Sequence, residues 1–199
     1  MDVFEAIRTT RAMRRLDPDR EVSDQDLLAI VAAATKAATG GNRQHARWLV
    51  VRDPEKKRRL GALYRECAAE ALKSYEDDAR TNPVTARMLK SSWHLADHMG
   101  EAPAIVVACA PGQRGRVEAS VFPGVQNLML AARGLGLGTT LTTIHRCKEE
   151  EVKALLGIPE DVHTFALIPV GYPLGRWAEA PRKPVQEVAY WDKWGTPPP

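Results

Sequence analysis

Two arginines near the start of the chain have the spacing expected of a phosphate-binding pair. Arg11 and Arg14 lie in TTRAMRRLDPDREVS, a basic stretch whose lack of hydrophobic periodicity predicts a loop. Guanidinium groups bind phosphate through parallel hydrogen bonds, so a loop that carries two of them suits an anionic ligand. Arg182 and Lys183 add positive charge late in the chain. The alternative interpretation is that these side chains are simply solvated.

A short polar stretch, GGNRQ at 40–44, could recognise the edge of a planar ring. Its glycines permit close backbone approach, and the carboxamides of Asn42 and Gln44 both donate and accept hydrogen bonds. The stretch follows a predicted helix, which starts at a capping box on Ser23 and carries an apolar stripe over 27–38. The alternative is an ordinary helix stop.

The stretch FPGVQNLMLAARGLGLGTTLTT at 122–143 predicts a buried helix, a glycine turn and a strand. Pro123 suits a first helical turn, and apolar residues follow on nearly every face as far as Leu135. Such a helix must lie at the centre of the core or at a subunit interface. Alternating glycines then permit a sharp turn into a strand over 139–144. This setting favours a bound cofactor, with plain core packing as the alternative.

The chain has none of the common motifs for hydrolysis or nucleotide binding. GxSxG, HExxH, Walker A and GxGxxG are all absent. His94 and His98 have the i, i+4 spacing of one helix face, but neither a general-base glutamate nor a third ligand accompanies them. We therefore expect no metal site and no conventional hydrolysis.

Composition indicates a single domain of ordinary hydrophobicity. The 199 residues are 44% hydrophobic with a dispersed net charge of +3, so we expect one domain over 1–199 and no nucleic-acid partner. The absence of a leader or a membrane-length apolar run predicts a soluble cytoplasmic protein without a membrane partner. Cys67, Cys109 and Cys147 are odd in number and outside any CxxC pair, which predicts free thiols.

The order of the predicted elements indicates a mixed helix and strand plan rather than a simple doubly wound sheet. Strands are predicted at 48–51, 104–110 and 162–170. Residues 66–99 are polar and helix-prone, with a break at Asn82-Pro83, and are expected to form a helical excursion over a site. The proline- and tryptophan-rich tail 171–199 has no core of its own, so we expect it to wrap over its own subunit or a partner.

Taken together, these stretches resemble the FMN-dependent nitroreductase family. The resemblance rests on TRAMRRL at 10–16, GGNRQ at 40–44, VQNLMLAARGLGLGTTLTT at 125–143, LLGIP at 155–159, PVGYP at 169–173 and RKP at 182–184. Each motif is short, but their joint order is specific, and only about 66–99 is unmatched. The resemblance implies an α+β three-layer sandwich with a mixed sheet, and a homodimer with swapped C-terminal arms and FMN at the subunit interface.

The resemblance also implies which residues bind FMN. Thr10, Arg11, Ala12, Met13 and Arg14 match the N-terminal segment at the phosphate and ring edge, and Arg182 matches a late phosphate contact. Asn42 and Gln44 match carboxamides beside the flavin, and Leu141, Thr142 and Thr143 match the stretch along the isoalloxazine.

Some positions depart from the family pattern. Ala12 replaces a serine and removes a hydroxyl contact, and Ala38-Thr39 replace Pro-Ser. His45-Ala46 stand where Pro-Trp follows the glutamine, which alters a rigid aromatic corner beside the acceptor pocket.

The activity that the resemblance implies is flavin-mediated hydride transfer. NADPH or NADH would deliver hydride to flavin N5, and a small acceptor such as a nitroaromatic or quinone would then be reduced. The alternatives are a flavin-dependent dehalogenase, enoyl reductase or flavin-cleaving enzyme, or a flavin- or deazaflavin-binding protein without turnover.

Overall fold

A four-stranded sheet lies between two layers of helices. The computed structural model describes residues 1–199. The strands are β1 (Arg47–Val51), β2 (Ala104–Pro111), β3 (Gly138–Thr139) and β4 (Val162–Gly171). The helices are α1 (Val3–Thr9), α2 (Asp24–Ala34), α3 (Pro54–Ala71), α4 (Glu76–Ala79), α5 (Pro83–His98), α6 (Arg114–Gly134) and α7 (Glu149–Leu156). No helix combines the length and the apolar character needed to span a bilayer.

The sheet has the order β1-β2-β4-β3, and every pair of neighbouring strands is antiparallel. We expected a mixed sheet, but parallel pairing within the subunit is limited to an isolated bridge between Ala12 and Thr139. The two central strands are β2 and β4, whereas β1 and β3 are edges. The sheet therefore has one edge beside the N-terminal segment and another edge beside α2.

The alternation of side chains along β2 explains the three layers. Ala104, Val106 and Ala108 belong to a buried cluster with residues of α2 and α6. Ile105 and Val107 point to the other face, into a cluster with residues of α3, α5 and α7. Because successive strand residues face opposite sides, a fully apolar strand requires helices on both. The predicted α+β sandwich is confirmed.

The long buried helix starts earlier than predicted. We expected it to begin at Pro123, but α6 begins at Arg114 and contains that proline. Val117, Val121 and Val125 form one buried stripe at i, i+4 spacing, and this burial outweighs the hydrogen bond that proline cannot donate. A Cβ on Gly124 would lie 2.8 Å from Trp48 Cζ2, so this glycine allows α6 to pack closely on β1.

The segment after α6 turns as predicted but forms less strand. Gly136 has a φ of 77°, in the left-handed region that favours glycine. Instead of a strand over 139–144, only Gly138 and Thr139 join the sheet, and Thr142 forms an isolated bridge with Leu167. The chain then enters a 3-10 turn, Ile144–Lys148, which packs against α3.

Two of the three cysteines are not free thiols, so that prediction is wrong. Cys67 of α3 and Cys147 of the 3-10 turn form a disulfide with a Cα–Cα distance of 5.9 Å. They are 80 residues apart, and nothing in their spacing indicates that the fold brings them together. Cys109 alone is free, and burial, with the nearby Glu149 carboxylate, raises the pKa of its thiol to about 12.

The stretch 66–99 is helical throughout most of its length, with α5 starting at the predicted break. The side chain of Asn82 caps α5 by accepting a hydrogen bond from Val84 N at 3.0 Å. Leu72, Leu95 and Ala96 are buried in the second core cluster. The stretch is thus a packed helical layer of the sandwich, and its role as a cover over a site stays a prediction.

Candidate functional site

The N-terminal segment lies along the β3 edge of the sheet. Met13 N donates to Thr139 O at 2.8 Å, and Ala12 forms the parallel bridge to the same residue. A Cβ on Gly138 would lie 2.9 Å from Met13 Cβ and 3.0 Å from Pro173 Cβ. The segment can therefore reach the sheet only because position 138 has no side chain.

The beginning of the tail packs on the same segment of its own subunit. Asp17 N donates to Tyr172 O at 2.8 Å, and Leu174 N donates to Arg15 O at 3.0 Å. The guanidinium of Arg133 lies 4.2 Å from the centre of the Trp177 ring. The first part of the tail thus lies on its own subunit, whereas an arm that embraces a partner stays a prediction.

Four arginines line a cleft of about 360 Å³ between the N-terminal segment and the tail, and no acidic residue lines it. They are Arg11, Arg14, Arg15 and Arg176. Arg14 is half-buried, and its one side-chain hydrogen bond is a long contact of 3.4 Å with Ser91 Oγ. Burial lowers the pKa of Arg14, and nearby Tyr64 only partly opposes this. A half-buried guanidinium without a carboxylate partner fits an anion such as a phosphate.

A second cleft adjoins α1 and places Thr10 near Arg182. Both residues line a space of about 600 Å³, together with Arg8 and Glu179, which form an ion pair at 3.6 Å. Arg182 itself is exposed and donates only to Pro181 O, at 2.9 Å. The structure thus brings Arg182 to the same end of the molecule as the N-terminal segment, with its guanidinium available to a ligand.

The segment Leu141–Thr143 is held by β4 and by α3. Thr142 is buried and exchanges backbone hydrogen bonds with Leu167, at 3.0 and 2.9 Å. Its hydroxyl lies 3.1 Å from the Tyr64 hydroxyl, whose pKa is raised by burial, so the phenol is neutral. Leu141 is exposed and Thr143 is half-buried. Side chains on either side of Thr142 are therefore presented outward from a fixed backbone.

A buried polar network lies behind this segment. His145 Nε2 lies 3.0 Å from Thr164 Oγ1, and Thr164 donates to Glu149 Oε1 from its amide at 2.6 Å and its hydroxyl at 2.9 Å. Arg114 pairs with Glu149. Although burial disfavours the Glu149 carboxylate, these partners lower its pKa overall. Burial lowers the pKa of His145 to about 4, so this imidazole is neutral near pH 7.

Asn42 and Gln44 lie apart from the other predicted site residues. They are exposed in a loop where Gly41, Asn42 and Gln44 have φ values of 58°, 51° and 51°. Gln44 Nε2 donates to Asn42 Oδ1 at 3.3 Å, and neither residue forms a hydrogen bond with the N-terminal segment. Gln44 lines a separate cavity of about 180 Å³ with Trp48 and Ser120. The subunit by itself therefore assembles only part of the predicted flavin set.

Comparison with known proteins identifies the family. The model of the nitroreductase family matches residues 7–172. The chain belongs to this family. It is 29% identical to an NADH dehydrogenase of Thermus thermophilus, covering 96% of both chains. It is 26% identical to an iodotyrosine deiodinase of Thermotoga neapolitana, covering 92% of this chain and 94% of the relative.

A solved structure of oxidised iodotyrosine deiodinase, bound to FMN and 3-iodo-L-tyrosine, has the same fold. It superposes with a TM-score of 0.75 at 22% identity, covering 98% of this chain and all (100%) of the other. The sequence-based identification of a nitroreductase-family protein is confirmed.

Several residues at this nitroreductase-family site were not singled out from the sequence. Arg176 lines the arginine cleft from the tail, and Ser91 of α5 lines it from the unmatched region. Tyr64 of α3 contacts Thr142 instead. Arg176 lies beside Trp177. A basic residue next to a tryptophan that packs on the protein was the one sequence signal that could have indicated it as a site residue. Tyr64 and Ser91 carry no such signal, because only the packing of α3 and α5 places them there.

The histidine pair of α5 lies beside the same site without forming a metal-binding group. The rings of His94 and His98 are 4.3 Å apart between centres, and His98 Nδ1 lies 2.8 Å from Glu101 Oε2. No group of three or more His, Cys, Asp or Glu side chains has the arrangement needed to hold a metal ion. Burial, followed by the proximity of His98 and Arg15, lowers the pKa of His94.

Proposed function

We propose that the protein is an FMN-dependent oxidoreductase that takes hydride from NADH or NADPH and reduces a small acceptor such as a nitroaromatic or quinone. The observation that carries the proposal is the arginine cleft beside a rigid strand end, in a chain of the nitroreductase family. The names of the relatives agree, since one is an NADH dehydrogenase and a solved neighbour binds FMN.

Each part of the site has a role in holding the cofactor. Arg11 and Arg14 would bind the phosphate, with Arg182 and Thr10 closing the same end. The stretch Leu141–Thr143 would lie along the ring, and backbone N–H groups and cations near the ring would favour the negative charge that builds up on reduction. Bound FMN would supply the hydride chemistry, so the protein needs no acid or base of its own.

The second part of the proposal is a homodimer. The α1 helix exposes Val3, Phe4 and Ile7, and Phe4 is 74% exposed. In the tail, Val185, Val188, Trp191 and Trp194 are exposed, with Trp194 at 87%. A stable monomer rarely leaves this many large apolar side chains in water, so these surfaces suit a contact between copies of the chain.

The open edge of β1 offers a place for a partner's tail. Beside β1 and α2 lies a cleft of about 620 Å³, lined mostly by apolar side chains that include Leu28 and Trp48. An unpaired edge strand with an apolar cleft accepts an added extended segment. The arrangement would also bring the loop of Asn42 and Gln44 to the partner's arginine cleft and complete the flavin set.

The test is the absorbance spectrum and flavin content of the purified protein, followed by anaerobic mixing with NADH or NADPH. We expect a yellow protein with about two flavins per dimer. Its flavin absorbance should be bleached by NADH or NADPH at least as fast as the enzyme turns over. A colourless protein that does not bind added FMN would contradict the proposal. A yellow protein that resists bleaching would instead indicate a binding protein without turnover.

A flavin-dependent dehalogenase is the second candidate, because one curated relative is an iodotyrosine deiodinase. Rapid mixing of the reduced protein with an acceptor separates the two functions. Fast reoxidation by a nitroaromatic or quinone supports the first candidate, whereas fast reoxidation by 3-iodotyrosine alone supports dehalogenation. A cytoplasmic location stays a prediction.

A further inference from the structure

The segment that would lie along the flavin ring and the 3-10 turn that follows it are joined to α3 at three points. Tyr64 contacts Thr142 through their hydroxyls at 3.1 Å. The Cys67–Cys147 disulfide joins the same helix to the 3-10 turn that follows. Glu66 and Lys148 form an ion pair at 2.8 Å beside it. All three contacts lie within two turns of α3, so the helix acts as one rigid support.

The three contacts differ in strength. The ion pair is largely exposed, and such pairs contribute little. The hydroxyl contact is a single hydrogen bond. The disulfide is covalent and begins only four residues after Thr143, so it limits how far the segment Leu141–Thr143 can move from α3.

The disulfide is accessible to a reductant from one side only. Cys67 is buried at 2% exposure, whereas Cys147 is exposed. A thiolate must approach a disulfide sulfur directly, so attack occurs at Cys147 Sγ and Cys67 leaves as the thiolate. If the protein is cytoplasmic, as its sequence predicts, dithiol reductants surround it, and disulfides that persist there are commonly redox-responsive.

We propose that the Cys67–Cys147 disulfide is a positioning element of the flavin site, which fixes the segment Leu141–Thr143 against α3 and makes FMN retention sensitive to dithiols. The step consumes one dithiol: its first thiol forms a mixed disulfide with Cys147 and releases Cys67. Its second thiol then displaces Cys147. Two electrons and two protons pass to the protein, which leaves two cysteine thiols and an oxidised, cyclic reductant.

The proposal rests on the proposed function, because it concerns the same flavin site. The first measurement compares FMN affinity in oxidised and dithiol-treated wild-type protein, by quenching of flavin fluorescence. Reduction should weaken binding about tenfold, since the segment then keeps only its hydrogen bonds to Leu167 and Tyr64, and FMN binding must remove the motion that it gains. Thiol counting after denaturation should rise from one to three, which verifies that the disulfide has opened. An affinity change below about twofold with three thiols would overturn the proposal.

Two variants separate the disulfide from other effects of the reductant. The double variant Cys67→Ser/Cys147→Ser should bind FMN as weakly as reduced wild type and should not respond to the dithiol. Cys109→Ala removes the remaining thiol, which is buried and outside the segment, and should respond as wild type does. If the double variant fails to fold, the dithiol-treated wild type still gives the comparison.

Hydrogen exchange of the flavin-free protein tests the mechanism without any activity. Amides of residues 141–148 should exchange about tenfold faster after reduction, with the β2 amides unchanged. Weaker FMN binding without faster exchange in this segment would show that the disulfide acts elsewhere and would overturn the proposal. If the oxidised protein binds no FMN at all, the proposed function fails, whereas the exchange measurement still decides whether the disulfide fixes the segment.

Discussion

The two edges of the sheet differ in how far a single subunit completes them. At the β3 edge the N-terminal segment, the first part of the tail and α3 all meet, and Met13, Thr142 and Tyr64 have partners within the chain. At the β1 edge the strand has no outer neighbour and borders an apolar cleft, and Asn42 and Gln44 lie exposed in the loop before the strand.

The difference separates two tasks of the proposed flavin site. The β3 edge would position the phosphate and one side of the ring by contacts that exist in the isolated chain. In the proposed dimer a second copy would cover the β1 edge, so the carboxamides of that loop would act across a subunit interface. Binding and dimerisation should therefore be linked, and variants at the two edges should fail in different ways.

The largest effect should come from removing the part of the tail that forms no hydrogen bond or ion pair with the rest of its own subunit. A truncation from residue 171 would damage β4, which includes Gly171, so the informative change deletes 184–199. We expect a monomer whose affinity for FMN is lower by more than about 100-fold, because the partner's cleft is no longer filled. Sedimentation and flavin content measure both outcomes.

The matched control deletes only the last three prolines, residues 197–199, and should remain dimeric and yellow. A truncated 1–183 protein that stays dimeric with bound flavin would contradict the assignment of the β1 cleft to the tail.

Acid should lower the free energy of unfolding through the buried imidazole of His145. Its pKa is about 4 in the folded protein and near 6.5 when unfolded, so the unfolded chain binds the extra proton between these values. Stability should therefore fall as the pH drops from 6.5 to 4, by about 3 kcal/mol in free energy of unfolding. The pKa of Glu149 is also lowered in the folded protein, so protonation of this carboxylate in acid adds a further loss of stability.

The variant His145→Gln keeps Glu149 and should flatten only the part of the profile due to the imidazole. Urea unfolding at several pH values measures it, with His163→Gln of β4 as the control that retains the wild-type slope. A variant whose profile matches wild type would show that His145 is not protonated on unfolding in this range.

The arginine cleft predicts a smaller and more local effect. Arg14→Ala should weaken FMN binding by about 1.5–3 kcal/mol, the range of a charge-assisted hydrogen bond. Arg11→Ala and Arg182→Ala should weaken it by a similar or smaller amount, because both side chains are exposed. Arg116→Ala, on the exposed face of α6, is the control. Equal flavin retention in all four variants would place the phosphate elsewhere.

The smallest expected effect tests how closely the N-terminal segment must approach the sheet. Gly138→Ala would place a Cβ 2.9 Å from Met13 Cβ and should cost about 1–3 kcal/mol of stability, with some loss of FMN. Gly134→Ala meets no atom within 4 Å and is the matched control. Thermal unfolding of both variants gives the answer, and equal midpoints would show that the segment can shift without cost.

Local patterns in the sequence predict many of the helices and strands, and short motifs carry the family resemblance. The apolar run of β2, the capping box at Ser23 and the break at Asn82 appear in the structure where they were predicted, because each depends on neighbours in the chain. The boundary of α6 was missed, since burial of Val117 and Val121 extends the helix beyond what Pro123 suggests.

What the sequence by itself determined is which side-chain types the candidate site can use: arginines, carboxamides, and a glycine turn before a threonine-rich stretch. Their roles towards a phosphate and a ring edge stay predictions. Only the tertiary structure decided which of these groups meet. Long-range packing brings Arg176 to Arg14 and Cys67 to Cys147, and it keeps Gln44 beside Trp48 at the other edge of the sheet. Side-chain type is a local property, but proximity across 80 residues depends on how the helices pack on the sheet.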